Sequence, residues 1–474
     1  MFGIPLLLSV TQVVFESYDS GLFTPLESLS ALSESSFTTL EHPLFPRYGI
    51  RIKKTSFCDE TVNAYTGYLD ITGARHLFFY FFESRSDPST DDVIFWTNGG
   101  PGCSSSLGLF MELGPCRILD AEGPKHHLES WNTNANIFFI DQPIGTGFSY
   151  ADYGEKVSTT EEAAVDIAAF VAIFFAHFSQ FQGRPFHMAG ESYAGRYLPE
   201  FAAQVYDQNA QLIQAGIPPI NLTSVMIGNG LSDLYSMIPS YWDMTCTAAS
   251  IPPILDIATC VRMRTMIPRC ETWMKDACLN KFDSVECAAA VGVCGDVFSR
   301  MNPYDISREC EGGLSESLCY PVTKVISSFL DRSDIRAQLG VDPAVSTNFT
   351  SCSAKVATAF GTTLDSFYPS TGHIEALLER GVHILLYVGS YDWICNWVGN
   401  DRMARALQWS GQAAFAAAPF SDWRIDGVPA GKIRSVEGGL LTFATIDGAG
   451  HMVPYDKPKE SLEMLQRWMK GFSL

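Results

Sequence analysis

Short runs of apolar residues recur along the chain from about residue 60 and end in glycine-rich or polar turns. Such runs, bounded by turn residues, are typical of strands that are buried on both faces of a sheet. Six segments show the pattern most clearly: DDVIFWTNGG, NANIFFIDQP, PFHMAGES, LTSVMIGNG, VHILLYVGSYD and LLTFATIDGAGH. Each is predicted to form a buried strand.

Between these runs lie stretches with helical spacing of apolar residues, such as TTEEAAVDIAAFVAIFFAHF and KPKESLEMLQRWMKGF. Strands that alternate with helices favour a mostly parallel central sheet covered by helices on both faces. We therefore predict an α/β fold whose core has two parts, residues 51–234 and 361–474. No internal repeat is evident.

Two segments depart from this rhythm. Residues 235–360 hold most of the thirteen cysteines and are predicted to form an inserted, disulfide-rich cap. Residues 1–50 lack a clear strand pattern and are expected to contain a signal sequence and a short pro-segment or N-terminal arm. The stretch from Phe2 to Phe15 is apolar enough for a signal peptide, but no Lys or Arg precedes it, so an incomplete start is the alternative.

The composition is that of a globular protein, with 46% apolar and 18% charged residues. A formal net charge of −20 argues against nucleic-acid binding, which needs basic patches that neutralise phosphates. No later run of 18 or more apolar residues occurs, so a membrane-spanning helix is not expected.

The clustered cysteines predict disulfides. Zinc is the alternative, but the cluster contains neither a C-x-x-C pair nor a histidine. Disulfides indicate an oxidising compartment, and the glycosylation acceptors at Asn221 and Asn348 fit the same route. We expect a protein of the secretory pathway, either secreted or held in a vacuole or a lysosome-like compartment. The odd number of cysteines leaves one thiol unpaired.

The segment GESYAG, residues 190–195, carries the candidate nucleophile. It fits G-x-S-x-G, in which a serine occupies a sharp turn between a strand and a helix. The strand-like FHMAG precedes it and the helix-like GRYLPEFAAQVYDQ follows it, which is the context that the motif needs. A serine hydroxyl is a weak nucleophile that needs a base oriented by a carboxylate. Ser192 is the predicted nucleophile.

On such a fold the carboxylate and then the histidine follow the serine, each beyond the end of a strand. The histidines after Ser192 are His373, His383 and His451. The second lies inside an apolar run and the first opens a helical stretch, whereas His451 follows a strand and a glycine-rich loop. His451 is therefore the predicted base.

Two aspartates compete for the carboxylate role. Asp392 follows the run VHILLYVGSY, as the fold requires. Asp447 is only four residues before His451, so it is expected to shape that loop instead. The predicted triad is Ser192, Asp392 and His451.

A catalytic serine of this kind also needs an oxyanion hole, built from backbone N–H groups. One donor follows the nucleophile, at Tyr193, and the other comes from an earlier glycine-rich loop. FWTNGGPGCSS supplies such a loop directly after a strand. Because Pro101 has no N–H, Gly99 or Gly100 is expected to donate. An ordinary Gly-Pro turn is the alternative.

Four segments, WTNGGPGCSS, GESYAG, YDWICNW and GAGHMVPYDKP, resemble the signature segments of the serine carboxypeptidases and occur in the same order. The resemblance extends from about residue 50 to the C-terminus. It implies an α/β-hydrolase fold with an inserted cap, and removal of single residues from peptide and protein C-termini at acidic pH. No metal or organic cofactor is expected.

The resemblance assigns roles to the reacting groups. Ser192 would be the nucleophile, His451 the base and then the acid, and Asp392 the orienting carboxylate. Gly100 and Tyr193 would donate the oxyanion N–H groups.

The resemblance also assigns the binding groups. Those for the substrate's terminal carboxylate would be Trp96, Asn98, Gly99 and Glu191, with Glu112 supporting Glu191. Cys395 would be the free thiol beside the S1 pocket, and Leu107, Met111 and Met452 would line apolar parts of the binding pocket. The implied bridges are Cys103–Cys352, Cys246–Cys260, Cys270–Cys294, Cys278–Cys287, Cys310–Cys319 and Cys58–Cys116.

Glu191 stands directly before the nucleophile, where its charge would repel an anionic substrate. A buried carboxyl beside a second carboxyl has a raised pKa, because two neighbouring charges are costly. Our hypothesis is that neutral Glu191 shares a hydrogen bond with the substrate's carboxylate and repels it once ionised. Selectivity for chain ends and an acidic optimum would then have one cause.

Two other functions stay open. One is an acyltransferase, an esterase or a lyase on the same scaffold, against which the carboxylate-binding set counts. The other is a catalytically silent binding protein, against which the complete triad counts. The sequence does not indicate an oligomeric state.

Overall fold

A computed structural model describes residues 23–72, 74–295, 301–472 and 474. The predicted signal region, Phe2 to Phe15, lies outside the described residues. The strands are β1 (Thr38–Glu41), β2 (Tyr48–Thr55), β3 (Ala64–Ile71), β4 (Arg75–Phe82), β5 (Asp92–Thr97), β6 (Cys116–Arg117), β7 (Lys125–His126), β8 (Ala135–Ile140), β9 (Tyr150–Ala151), β10 (Phe186–Glu191), β11 (Leu222–Gly228), β12 (His383–Gly389), β13 (Ser421–Ile425), β14 (Val428–Ser435) and β15 (Leu441–Ile446).

The α-helices are α1 (Thr160–His177), α2 (Ala194–Gln214), α3 (Leu234–Cys246), α4 (Ile257–Met274), α5 (Ser284–Gly295), α6 (Leu314–Ser317), α7 (Val322–Leu330), α8 (Ser333–Leu339), α9 (Ala354–Thr363), α10 (Thr371–Glu379), α11 (Trp397–Ala406), α12 (Gln412–Ala417), α13 (Val453–Asp456) and α14 (Pro458–Gly471). Two shorter helical turns matter below, Gly108–Glu112 and Asp365–Phe367.

Parallel strands form the centre of the main sheet, in the order β8-β5-β10-β11-β12-β15. These six strands are the six predicted ones. Helices cover both faces, because successive side chains of a strand point to opposite sides. Val93 and Phe95 of β5 pack in a core cluster with α1 and α2, whereas Ile94 and Trp96 pack in a cluster with α14.

Antiparallel strands flank this centre on both sides. β1, β2, β3 and β4 pair in sequence before β8, and β14 and β13 follow β15. The sheet as a whole is therefore mixed, and its parallel character is confined to the middle. The apolar pattern does not distinguish the two pairings when both faces of a strand are buried.

Part of the segment before residue 51 belongs to the sheet. β1 and the first residues of β2 pair along its edge, and Leu40 and Ile50 are buried in the core. In β1 only Leu40 is buried. One buried residue in a four-residue edge strand gives no readable periodicity, so this strand was not predicted from the sequence.

Between β11 and β12 the chain leaves the sheet and forms mainly helices, α3 to α10. All six implied disulfides are present: Cys58–Cys116, Cys103–Cys352, Cys246–Cys260, Cys270–Cys294, Cys278–Cys287 and Cys310–Cys319. Cys395 is the remaining cysteine and is a buried free thiol. In the described part of the chain, no helix has both the length and the apolar character needed to cross a bilayer.

Candidate active site

Ser192 occupies a tight turn between strand β10 and helix α2, at the carboxyl edge of the parallel strands. Its φ is +65°, a left-handed conformation that is costly for a residue with a side chain. A Cβ at Gly190 would lie 2.3 Å from the Thr97 carbonyl oxygen, and one at Gly195 would lie 2.6 Å from the Leu231 nitrogen. The flanking glycines are thus needed because this turn passes close to β5 and to the loop after β11.

The loops after β12 and β15 bring Asp392 and His451 together. The Nδ1 atom of His451 lies 2.8 Å from the Oδ2 atom of Asp392, and both side chains are buried. His451 and Ser192 line the same cavity, whose volume is about 330 Å³. An imidazole held by a buried carboxylate, in a cavity that a serine also lines, has the components of a catalytic triad.

The two competing histidines are engaged elsewhere, and the competing aspartate is exposed. His373 on α10 has a half-exposed side chain and pairs with Glu200, with 3.1 Å between its Nδ1 and the carboxylate oxygen. His383 stacks on Phe472 at a ring distance of 3.7 Å. Asp447 is exposed.

Asn229 is a site residue that the sequence reasoning missed. Its amide Nδ2 donates to Oδ2 of Asp392 over 2.7 Å, so the oxygen that holds His451 accepts a second hydrogen bond. Its Oδ1 accepts from the N–H of Gly389 over 3.3 Å. Asn229 directly follows β11, so the signal that singled out Asp392, a polar residue after a buried strand, could have found it.

The glycine-rich loop after β5 lies directly against the turn between β10 and α2 that carries Ser192, which we call the elbow. A Cβ at Gly99 would lie 2.3 Å from the backbone nitrogen of Tyr193, so only glycine permits this approach. Gly100 has φ +113° and lines the cavity together with Gly99 and Ser192. Both candidate loop donors and the N–H of Tyr193 therefore lie close to the nucleophile.

Asp141, which follows β8, holds this loop in place through hydrogen bonds. Its Oδ1 accepts from the Ser104 hydroxyl over 2.5 Å and from the Ser105 N–H over 3.1 Å. Its Oδ2 accepts from the Phe148 N–H over 2.9 Å. Burial raises the pKa of Asp141 to about 6, although these hydrogen bonds oppose the rise.

Two carboxyl groups lie side by side next to the nucleophile. Glu191 lines the cavity, and Glu112, at the end of the Gly108–Glu112 turn, lies behind it; both are buried. The Asn98 amide Nδ2 donates to Oε1 of Glu191 over 3.0 Å and to Oε1 of Glu112 over 3.4 Å. Because one amide nitrogen reaches both carboxyls, the two groups lie close together.

Burial sets the protonation of this pair. It raises the pKa of Glu112 to about 7. Burial first, and then the neighbouring charges of Glu112 and Asp392, raise the pKa of Glu191 well above its usual range. The raised pKa favours the neutral form of Glu191, which can donate a hydrogen bond.

Trp96 has a different position from the one that the resemblance implies. Its only donor, Nε1–H, is used by the Oδ1 atom of Asn98 over 2.8 Å, and the side chain is fully buried. The Gly108 N–H donates to the same oxygen over 3.0 Å. These two bonds fix the orientation of the Asn98 amide so that its NH₂ points at the carboxyls. Trp96 orients Asn98 and does not face the cavity.

Two of the three apolar residues expected to line the pocket do so. Leu107 and Met452 line the cavity, together with Tyr304, Leu318, Ile394, Ala354 and Ala357. Met111 is fully buried in the core cluster with Trp96 and packs behind the wall. Cys395 is buried behind Ile394, in a cluster with Tyr241 and Trp393.

One group of described residues has the spacing of metal ligands. Asp392, Cys395 and His451 place one ligand atom each within 4.8 Å of one another. Burial raises the pKa of the Cys395 thiol well above its usual range, so the sulfur stays protonated and is a poor ligand. The Asp392–His451 hydrogen bond already uses the other two groups.

A serine on a strand-to-helix elbow, followed along the chain by an aspartate and a histidine after later parallel strands, defines the class of α/β-hydrolases. Comparison with known proteins agrees. The family model described as serine carboxypeptidase matches residues 56–471. The solved structure of Kex1Δp, a prohormone-processing carboxypeptidase from Saccharomyces cerevisiae, superposes with a TM-score of 0.74 at 24% identity, over 87% of this chain and 92% of that chain. This similarity confirms the fold.

Two curated relatives are similar over most of their length. Carboxypeptidase Y of Candida albicans is 38% identical over 437 residues, which cover 90% of this chain and 77% of that protein. Carboxypeptidase Y homolog A of Ajellomyces dermatitidis is 39% identical over 439 residues, with the same coverage. The chain belongs to the serine carboxypeptidase family and is a serine-type peptide hydrolase.

Proposed function

We propose that this carboxypeptidase releases single residues from the C-termini of peptides and proteins at acidic pH, through a Ser192-Asp392-His451 triad. The observation that carries the proposal is the buried pair Glu191 and Glu112 beside the nucleophile. A hydrolase that acts within chains, or on esters, has no use for a neutral acid held at this position.

The reaction proceeds in two halves. The Ser192 oxygen attacks the scissile carbonyl carbon while His451 takes the hydroxyl proton, and Asp392 stabilises the imidazolium that forms. The N–H groups of Tyr193 and Gly100 bind the oxyanion of the tetrahedral intermediate. His451 then gives its proton to the leaving amine, and the C-terminal residue departs. Water then attacks the acyl-enzyme while His451 takes its proton, and His451 returns that proton to the Ser192 oxygen as the ester bond breaks and the shortened chain leaves.

The neutral carboxyl of Glu191 donates a hydrogen bond to the substrate's terminal carboxylate, and the Asn98 NH₂ supports the same end of the substrate. When the pH rises through the raised pKa of Glu191, this donor becomes a second anion and repels the substrate. Substrate binding, and not only the chemistry, then weakens at higher pH. Leu107 and Met452 at the cavity wall favour an apolar leaving residue.

Residues 235–360 are proposed to act as a cap over the site. Tyr304, Ser315, Leu318 and Ala354 from this segment line the cavity opposite the elbow. They would allow only the end of a peptide chain to reach the site, which suits removal of one terminal residue at a time. We propose that residues 51–234 and 361–474 form the core that carries the triad.

We further propose that the protein matures in the secretory pathway, and is either secreted or kept in a vacuole or lysosome-like compartment. The six disulfides support an oxidising environment. Asn221 and Asn348 are both exposed, as acceptors of N-linked glycans must be. An acidic working compartment matches the protonation that Glu191 needs.

Digestion of one set of peptides, synthesised with free and with amidated C-termini, tests the proposal. Mass spectrometry should show ladders of single-residue losses from the free-acid peptides only, and Ser192→Ala should abolish them. Internal cleavage, or equal cleavage of both sets, would contradict the proposal. Hydrolysis of simple esters with no cleavage of peptides would favour an esterase on this scaffold, and no turnover at all would favour a silent binding protein.

A further inference from the structure

One segment outside the sheet contacts both arms of the oxyanion hole. It runs from Ser351 through helix α9 to Asp365, and we refer to it as the brace. At its start, the Ser353 N–H donates to the carbonyl of Gly102 over 2.8 Å, and the Ser104 N–H donates to the carbonyl of Ser351 over 2.8 Å. The disulfide Cys103–Cys352 crosses between these two bonds.

The first contact fixes the glycine-rich loop. Gly102, with φ +85°, lies so close to α9 that a Cβ there would be 2.6 Å from the Cβ of Val356. Gly100, the proposed loop donor, is only two residues before this bonded point. The start of the brace therefore limits the movement of one oxyanion donor.

The end of the brace fixes the other donor. The Tyr193 hydroxyl donates to Oδ2 of Asp365 over 2.7 Å, and both side chains are buried. The Tyr193 ring packs edge-on against Tyr197 at 5.0 Å and against Phe360 of α9 at 6.3 Å. The side chain is thus held at both its ring and its tip. Its backbone N–H is the donor next to the nucleophile.

Asp365 is itself firmly anchored. Its Oδ1 accepts from the Thr160 N–H over 2.9 Å and its Oδ2 from the Thr160 hydroxyl over 2.7 Å. Arg196 approaches Oδ1 to 3.6 Å, and its Nε donates to the Asp365 carbonyl over 3.2 Å. The carboxylate therefore remains bound to α1 and α2 if the tyrosine hydroxyl is removed, so that bond can be broken without losing the fold.

We propose that Asp365 is a positioning residue for catalysis: through the Tyr193 hydroxyl it sets the direction of the Tyr193 N–H, and the brace holds both oxyanion donors in register. The need is physical, since Ser192 has φ +65° and the Ser192–Tyr193 peptide would relax from that conformation if it were free to do so. Oxyanion donors act only when they are preorganised towards the developing charge. This inference rests on the proposed function.

The sharpest test is Tyr193→Phe, which removes only the hydroxyl. We expect kcat for a free-acid peptide to fall about tenfold or more, below the roughly 10²- to 10³-fold cost of deleting a donor outright. KM and the inhibition constant of a free product amino acid should not change, because neither depends on the oxyanion. A peptide aldehyde, whose tetrahedral adduct needs the oxyanion hole but not the carboxylate pocket, should bind more weakly by the same factor as kcat.

Tyr48→Phe is the matched control, because it breaks another tyrosine–aspartate hydrogen bond, to Asp166 of α1 over 3.1 Å. It should leave kcat and aldehyde binding unchanged. A role in stability alone would lower the melting temperature of both variants without changing kcat of either.

Asp365→Asn, alone and combined with Tyr193→Phe, completes a double-mutant cycle. If the aspartate acts through the tyrosine, the double variant should lose less than the product of the two single losses. If the wild type is active and Tyr193→Phe equals Tyr48→Phe in kcat and in aldehyde binding, the inference is overturned and the proposed function stands. A wild type that does not shorten free-acid peptides would overturn both.

Discussion

The carboxyl groups of Glu191 and Glu112 lie side by side beside the candidate nucleophile, where the Asn98 amide Nδ2 lies 3.0 Å from an oxygen of the first and 3.4 Å from an oxygen of the second, and both are buried. Two negative charges this close together and shielded from water are costly, so the pair favours a state in which at least one carboxyl keeps its proton. Burial and mutual repulsion keep that proton bound at pH values where exposed carboxyls are ionised. The substrate cavity therefore presents an acid group that donates, where an exposed glutamate would present an anion.

Replacing Glu112 with Gln should move the pH dependence of substrate binding. Burial is the first cause of the raised pKa of Glu191 and remains, but the neighbouring charge is removed, so Glu191 should ionise at a lower pH. The KM of a free-acid peptide should then begin to rise at a lower pH than in the wild type. KM profiles of both proteins from about pH 4 to about pH 8 measure the shift. A shift to higher pH would contradict the assigned coupling.

Asn229→Ala should lower kcat about ten- to a hundredfold, because it removes a hydrogen bond to the charged Asp392 worth about 1.5–3 kcal/mol. Steady-state kinetics at saturating peptide measure this loss. Asn136→Ala is the control, since it also removes a buried amide, whose Nδ2 donates to the Asp91 carbonyl over 3.0 Å at the start of β8. Equal kcat in the two variants would show that Asn229 does not support the triad.

Asp392→Asn should lower kcat by about 10⁴-fold while leaving the fold intact, because the imidazole loses the carboxylate that sets its tautomer and stabilises its charge. The exposed Asp447 supplies the comparison, and Asp447→Asn should keep nearly full activity. Rates with a chromogenic peptide or ester would decide the assignment. The reverse pattern would replace Asp392 with Asp447 in the triad.

Asp141 should make stability depend on pH. Its pKa is raised by burial from 3.8 to about 6, so the folded protein binds this proton more tightly than the unfolded chain. Below the unfolded pKa, this tighter proton binding adds on the order of 3 kcal/mol to the free energy of unfolding. The added stability is lost as the pH rises through about 6.

Denaturant unfolding at several pH values measures this loss. Asp141→Asn should give a flatter profile than the wild type or Asp447→Asn, whatever its absolute stability. An unchanged slope in Asp141→Asn would exclude Asp141 as the source.

The sequence predicts the central strands and the elbow because their signals are local. Six apolar runs became the parallel strands, and glycines 190 and 195 are required by contacts that the motif already implies. The edge strand β1 was missed because a single buried residue, Leu40, marks it.

The residues that support the site were harder to find. Asp365 contacts Tyr193, which is 172 positions away in the sequence, and Asp141 contacts Ser104, which is 37 positions away. Nothing in the local pattern around Asp365 distinguishes it from a surface aspartate, because only the fold brings its partner near. Asp141 and Asn229 each directly follow a buried strand, so the signal that singled out Asp392 could have found both.

The central claim is that neutral Glu191 recognises the free end of a peptide chain. The most direct measurement is KM against pH for one peptide, in free-acid and amidated forms, with the wild type and Glu191→Gln. The account predicts cleavage of the free acid only, with a KM that rises with pH in the wild type and stays flat in the variant, whose amide cannot ionise. Equal cleavage of both forms by the wild type, or the same rise in KM for Glu191→Gln, would contradict it.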